Sequence, residues 1–229
     1  MVYMLRTRPH LGFGHQPFVQ NACEVSDCVV FANRSSLPFE KYDAILIHLH
    51  ELSKTYMPNI PRQKHQRFVF LTQESPNSMD TVDVTTMGHW FNWTMSYKLN
   101  SDIHFLYGHY VTEKFFEIMR QDLIPVVYGG ANYSQFAPLH SYINALDYTP
   151  KELADYLKML DANDMLYNEY FWWKDHYRVE AGIENRARHG FCDLCKKLHQ
   201  DQDETKIYPE LVSEWHPSTQ CKRMTPWES

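Results

Sequence analysis

Three short apolar runs, AILIHL (44–49), RFVFLT (67–72) and LIPVVY (123–128), constrain the fold of this chain more than any other feature. Each is apolar at consecutive positions, so both faces of an extended segment would be buried, as in the parallel strands of a layered protein. Pro125 lacks an N–H to donate, so the third run suits a sheet edge or a strand start. Helical patterns lie between and after the runs. Thr149-Pro150-Lys151-Glu152 has the form of a capping box with proline at the first helical position. Leu153, Tyr156, Leu157 and Leu160 then recur at helical spacing and predict one apolar face. A second helix is expected over 164–177 and a third around FCDLCKKLH. Strands alternating with helices predict an α/β fold.

In such folds ligands bind beyond the carboxyl ends of the parallel strands. RFVFLT runs into Gln73-Glu74-Ser75-Pro76, which sets the Glu74 carboxylate at such an end. YVTEKFF (110–116) opens a helix just before LIPVVY with the charged pair Glu113-Lys114. A helix start offers unpaired N–H groups and a partial positive charge, a seat for an anion, although acidic residues there also serve ordinary helix stability.

The net charge of −6 is spread without long runs of one sign, which argues against a nucleic-acid protein held by a basic face. With only 8 glycines there is no glycine-rich phosphate loop. An aromatic content of 15% suits a sugar-stacking surface as well as an ordinary core. His48 and His50 share a strand face, but without an acidic or cysteine neighbour in sequence they read as a packed or surface pair.

No apolar run reaches the roughly 18 residues of a membrane helix, and the first residues lack the apolar stretch of a signal peptide. Taken alone, the chain is expected to be soluble. Three sequons, at Asn33, Asn92 and Asn132, are candidate glycosylation sites of a secretory protein. Of the five cysteines, four fall into close pairs, Cys23 with Cys28 and Cys192 with Cys195. They allow two local disulfides or a four-cysteine zinc site. The sequons favour the disulfides, and Cys221 is left over.

Four stretches together resemble the α-1,3-fucosyltransferases of glycosyltransferase family 10: QRFVFLTQESP (66–76), FNWTMSYKLNSDI (91–103), YVTEKFF, and LIPVVYGG with its downstream SYINALDYTPKELADYL. The tail segments LYNEYFWWK and FCDLCKKLH are similar too. The resemblance implies a GT-B arrangement of two Rossmann-like domains, with an acceptor-side domain over 1–104 and a GDP-fucose domain over 105–229. It implies inverting transfer of fucose from GDP-fucose to the 3-hydroxyl of N-acetylglucosamine on a glycoprotein glycan, without a metal cofactor. Glu74 then looks like the base that takes the acceptor proton. Lys114 resembles the residue that neutralises the diphosphate, Glu113 one that accepts hydrogen bonds from donor hydroxyls, and Tyr110 one that lies against the nucleotide. Members are Golgi membrane proteins with a luminal catalytic domain, anchored by an N-terminal helix that this chain does not show. FNWTMSYKLNSDI and YNEYFWWK lean toward the enzymes of the N-glycan core.

The chain departs from the pattern in one place. The family carries a long segment between the SDI stretch and YVTEKF, including the opening strands of the donor domain and a diphosphate-binding arginine. Here Ile103-His104-Phe105-Leu106-Tyr107-Gly108 runs directly into His109-Tyr110. Without that segment a parallel sheet loses strands and exposes an edge, and weak or absent transfer is expected. The alternative is an inactive family member that binds a glycan or a partner protein.

Overall fold

A computed structural model of the chain describes residues 1–5, 12–49, 61–78, 83–105, 113–179, 183–201, 203 and 206–220. In chain order the elements are β1 (Val2–Leu5), α1 (Gln16–Val19), β2 (Val30–Phe31), β3 (Ala44–His48), β4 (Arg67–Leu71), β5 (Trp93–Ser96) and β6 (Ile103–His104). There follow α2 (Glu113–Met119), β7 (Val126–Val127), β8 (Ile143–Asn144), α3 (Pro150–Asp161), α4 (Asp164–Glu169), α5 (Ile183–Gln200), α6 (Val212–Trp215) and α7 (Pro217–Gln220). They form two units. The first holds Met1–Leu106 and Ile183–Cys221; the second holds Tyr107–Gly182. The first break falls after Leu106, beside the boundary expected near 104, and residues 183–221 group with the N-terminal unit, because α5 is packed and cross-linked there.

The first unit is built on a parallel sheet in the order β2-β1-β3-β4-β5-β6. Every residue of β4 is buried, as are the first four of β3. Alternate positions feed two different cores. Ala44, Leu46, Val69 and Leu71 join Phe18, Trp93, Met95, Phe191 and Leu194 on one face. Ile45, Ile47, Phe68 and Phe70 join Tyr42, Phe91 and Trp215 on the other. A strand with two apolar neighbourhoods reads as an uninterrupted apolar run, which is why these two segments are legible.

Helix α5 covers the first face. Phe191, Leu194, Cys195 and Leu198 recur at helical spacing and point to the sheet, and Phe191 meets Phe18 and Phe105 edge-on at 6.0 and 6.2 Å. The close approach requires Gly190: a Cβ there would lie 2.1 Å from a Phe105 ring carbon and 2.8 Å from the Met95 methyl.

Two disulfides fasten the same helix, and they are not the local ones the sequence favours. Cys23 pairs with Cys192 and Cys28 with Cys195, at Cα separations of 5.1 and 5.9 Å. Cys192 and Cys195 sit three residues apart on α5, so both meet the 23–28 loop. The pairing leaves none of the four thiols for a four-cysteine zinc site. Cys221 lies outside the described residues.

In the second unit β7 and β8 form a two-stranded parallel sheet of their own. LIPVVY is thus neither fully extended nor buried: only Val126–Val127 is strand, and Leu123 and Val126 are 54% and 46% exposed. Pro125 sets the strand start, its carbonyl accepting from the Ile143 N–H at 2.8 Å. The Thr149–Glu152 capping box forms as expected. On α3, Leu153 and Leu160 are buried, but Leu157 stays exposed. The helix expected over 164–177 breaks after Glu169 and resumes as a tight turn at Trp172–Asp175. The break lets Tyr170 and Trp173 enter separate apolar clusters, which one continuous helix face would not allow.

Two outcomes follow. Gly190→Ala is expected to cost about 1–3 kcal/mol through overpacking, read as a lowered urea midpoint; unchanged stability would mean that α5 can move off the sheet freely. Reduction of both disulfides, whose partners are 169 and 167 residues apart, is expected to lower stability by about 2–5 kcal/mol. Thermal unfolding with and without a phosphine checks it.

Candidate active site

The sheet order places a reversal between β1 and β3, the position where ligands bind beyond the carboxyl ends of open α/β sheets. β4 is the next strand, and its carboxyl end runs through the buried Thr72 into Gln73, Glu74 and Ser75, all half-buried. The turn is fixed locally. The Glu74 N–H donates to the Thr72 hydroxyl at 3.2 Å, the Ser78 N–H to the Ser75 carbonyl at 3.0 Å, and buried Pro76 opens a short helical turn. Glu74 thus stands where the sequence sets it, neither sealed in the core nor fully in water.

Gln73 was missed by sequence reasoning. Its side-chain Nε2 is buried without a hydrogen-bond partner among the described residues, beside a carboxylate at a ligand-binding sheet end. A buried donor left unmatched costs about 1–3 kcal/mol, a cost that a bound polar ligand would remove.

Helix α2 explains the position of Lys114. Phe115, Phe116 and Met119 turn inward to pack with Val127, Ala137 and Trp173, which leaves Lys114 exposed on the opposite face. Glu113 is the first residue of α2. Tyr110 and His50 lie outside the described residues, and His48 is half-buried at the end of β3.

A heavily bonded polar group of the first unit is Asp102, also unforeseen. The link between parallel β5 and β6 is only residues 97–102, too short for the usual crossover helix. Asp102 braces it. Its Oδ2 accepts from the Thr94 N–H and the Tyr208 hydroxyl, both at 2.8 Å, while Lys206 pairs with Oδ1. Burial works against the charge, but the Lys206, Thr94 and Tyr208 hydrogen bonds prevail and hold the carboxyl below its ordinary range.

Of the three sequons, Asn33 and Asn132 are exposed. Asn92 is 4% exposed. Its Oδ1 accepts from the Phe68 N–H at 2.8 Å and from Arg62, and its Nδ2 donates to the Lys206 carbonyl at 2.8 Å. The folded chain has no room for a glycan there, so Asn92 is a core residue rather than the candidate glycosylation site read from its triplet.

A cavity of about 470 Å³ opens at the amino ends of the strands, lined by Asp43, His65, Arg67, Asp201 and Asp203 among others. Sequence reasoning takes an Asp-x-Asp motif to be absent, yet Asp201-Gln202-Asp203, whose two aspartates line the cavity, has that pattern. It is remote from Glu74, since β4 runs from Arg67 at the cavity toward Glu74, roughly 3.3 Å per residue.

A mixed α/β protein with a polar, carboxylate-bearing sheet end is what the geometry defines. Residues 2–108 match the family described as "Fucosyltransferase, N-terminal" and residues 104–215 the one described as "Glycosyltransferase family 10 (fucosyltransferase) C-term". The chain belongs to glycosyltransferase family 10, the fucosyltransferases. It is 42% identical over 112 residues to Alpha-(1,3)-fucosyltransferase C of Drosophila melanogaster, covering 48% of this chain and 25% of that protein. To Glycoprotein 3-alpha-L-fucosyltransferase A of the same fly it is 36% identical over 118 residues, covering 49% and 22%. These two matches thus span about a quarter of each relative's length. It is also 25% identical over 282 residues to 3-galactosyl-N-acetylglucosaminide 4-alpha-L-fucosyltransferase FUT3 of Bos taurus, covering 82% of this chain and 75% of that protein. That share is about 188 of 229 residues, so about 94 of the 282 aligned positions have no counterpart here. Among the described residues no helix is long and apolar enough to cross a membrane.

Asp102→Ala is expected to destabilise the chain by on the order of 2–3 kcal/mol at pH 7, because Lys206 and Tyr208 lose their partner. The Asp102 pKa is lowered on folding, so its contribution is complete above the ordinary value near 3.9 and fades as pH falls through the lower folded value. The gap between wild type and Asp102→Asn should therefore narrow in strong acid. Urea midpoints at pH 7 and near pH 3 test this; a gap that widens in acid would contradict it.

Proposed function

We propose that the chain carries the site of an α-1,3-fucosyltransferase that transfers fucose from GDP-fucose to N-acetylglucosamine of a glycoprotein glycan, with inversion. The observation that carries the reading is Glu74, half-buried at the carboxyl end of a central parallel strand in a fucosyltransferase-family chain. An inverting displacement needs one base on the acceptor hydroxyl while the nucleotide departs from the opposite face. Glu74 supplies that base, a role typically worth about 10²–10⁴ in rate, and the unmatched Gln73 amide donates to an acceptor hydroxyl. Lys114, exposed on α2, neutralises the diphosphate. Glu113 receives donor hydroxyls and Tyr110 lies against the nucleotide, as the YVTEKFF motif implies.

In this reading the first unit is the acceptor-side domain of a GT-B enzyme, and the second is an incomplete donor domain. The reading assigns the positions without counterpart to a segment missing after Gly108, whose loss removes a cationic partner of the diphosphate. The two-stranded sheet of the second unit and the exposure of Leu123 and Val126 support this. The same observations favour a second reading, an inactive family member that keeps glycan or partner binding. Two cross-links of buried or half-buried cysteines suit the oxidising secretory pathway and a Golgi location, with glycans on Asn33 and Asn132.

Calorimetric titration of GDP into the purified chain tests the donor site. Binding lost in Lys114→Ala supports the assignment; no binding by a folded chain would remove it. Transfer from GDP-fucose to an N-acetylglucosamine acceptor is expected to be slow, and Glu74→Gln to lower what remains by at least about 10²-fold. A chain that transfers nothing, yet binds the acceptor equally well with and without the Glu74→Gln substitution, would support the binding protein instead.

A further inference from the structure

The Cys28–Cys195 disulfide has two neighbours able to bind a metal. Asp27 precedes Cys28, and His199 lies one helical turn beyond Cys195 on α5. His199 Nε2 is 2.9 Å from Asp27 Oδ1. The two sulfurs, the imidazole nitrogen and the carboxylate oxygen all lie within 4.8 Å of one another. Around a tetrahedral zinc ion, with sulfur at about 2.3 Å and nitrogen or oxygen at about 2.0–2.1 Å, ligand atoms stand about 3.3–3.8 Å apart. Small side-chain rotations reach that arrangement once the sulfurs are no longer bonded to each other.

We propose that the thiol form of this chain binds one zinc ion through Cys28, Cys195, His199 and Asp27, so that either a metal or a disulfide clamps the 23–28 loop to α5. The Cys195–His199 pair at i and i+4 presents two ligands from one helix face, and the adjacent Asp27 and Cys28 supply two from the facing loop. Two thiolates and an imidazole select zinc over magnesium or calcium. The ion has a route in, because Asp27, Cys28 and His199 also line the cavity at the amino ends of the strands. Its further carboxylates, Asp43, Asp201 and Asp203, raise the local concentration of cations.

The chemistry balances with a phosphine as reductant. The phosphine gives two electrons to the disulfide and takes an oxygen atom from water, and the two water protons leave the sulfurs as thiols. Zinc then displaces both thiol protons as it is bound by the thiolates. Cys23 and Cys192 take no part, which separates this site from a four-cysteine one. It is also independent of the transferase reading.

The test uses the full chain, reduced with a phosphine, desalted without oxygen and titrated with Co²⁺. The expected result is one Co²⁺ per chain with the visible absorption of tetrahedral thiolate cobalt, bleached by Zn²⁺, and none in the disulfide form. His199→Ala, at a side chain 44% exposed, should weaken binding at least about tenfold, whereas Cys23→Ser with Cys192→Ser should keep it. Zinc should raise the unfolding temperature of the reduced chain but not of the oxidised one. No tetrahedral absorption, absorption unchanged in His199→Ala, or absorption lost with Cys23 and Cys192 but kept without Cys28 and Cys195 would each overturn the proposal.

Discussion

A parallel sheet must be covered on both faces, and the first unit meets that requirement only by bringing back the far end of its own chain. β3 and β4 bury alternate residues in two cores. One core is closed by Phe191, Leu194 and Cys195 of α5, and the other by Trp215 of α6. None of these closing side chains precedes residue 183 in sequence. The unit thus takes on the entropy of a long loop before its sheet is sealed, and two disulfides between the 23–28 loop and α5 reduce that cost by restricting the unfolded chain. The placement of Glu74 depends on this closure, because β4 is a central strand whose register is held from both sides.

Among the described residues the second unit shows no such closure. Its two strands are two residues long, and its apolar groups are divided between two small clusters. A two-stranded sheet is marginal on its own, and the described part of α2, which carries Lys114, is seven residues long. A short helix beside a minimal sheet is a poor platform for gripping a diphosphate, where catalysis asks for preorganised charge. Glu74 is therefore supported by a full sheet, while Lys114 stands on a short helix. Under the proposed reading, the difference gives a physical reason why donor binding should fail before acceptor binding.

The legible parts of the sequence were those in which one residue type answers to one environment. Continuous apolar runs located β3 and β4, and the Thr149–Glu152 box located the start of α3. The position of Glu74 at a strand end was legible because RFVFLT is a continuous apolar run that stops just before it. The misreadings share one cause, that local pattern says nothing about distant partners. LIPVVY looks like a core strand, yet only neighbouring strands could bury Leu123 and Val126. Cys23 with Cys28 and Cys192 with Cys195 look like local pairs, and the helical direction of α5 turned them into long-range ones. Asn92 reads as a sequon until its amide is found spent on Phe68, Arg62 and Lys206. Asp102 and the Gln73 amide carry no sequence signal at all, since their roles arise from partners 106 residues away in one case and from a missing partner in the other.

The distribution of these polar contacts separates two things that a shared signature tends to merge. FNWTMSYKLNSDI is among the stretches most similar to the fucosyltransferases, yet its polar residues are committed to structure. Asn92 and Asp102 bond to Lys206 and Tyr208, and Lys98 donates to the Glu214 carbonyl at 2.7 Å. That stretch is a joint which fastens the C-terminal tail over one face of the sheet. Its retention requires only that the first unit fold. The proposed chemistry requires in addition Glu74 and Lys114, which belong to different elements of different units. A chain can therefore keep the joint, and with it most of the family likeness, under selection for folding alone. Likeness in the joint is evidence of a fold, and under the proposed reading it is the sheet end at Glu74 and the α2 face at Lys114 that bear on transfer.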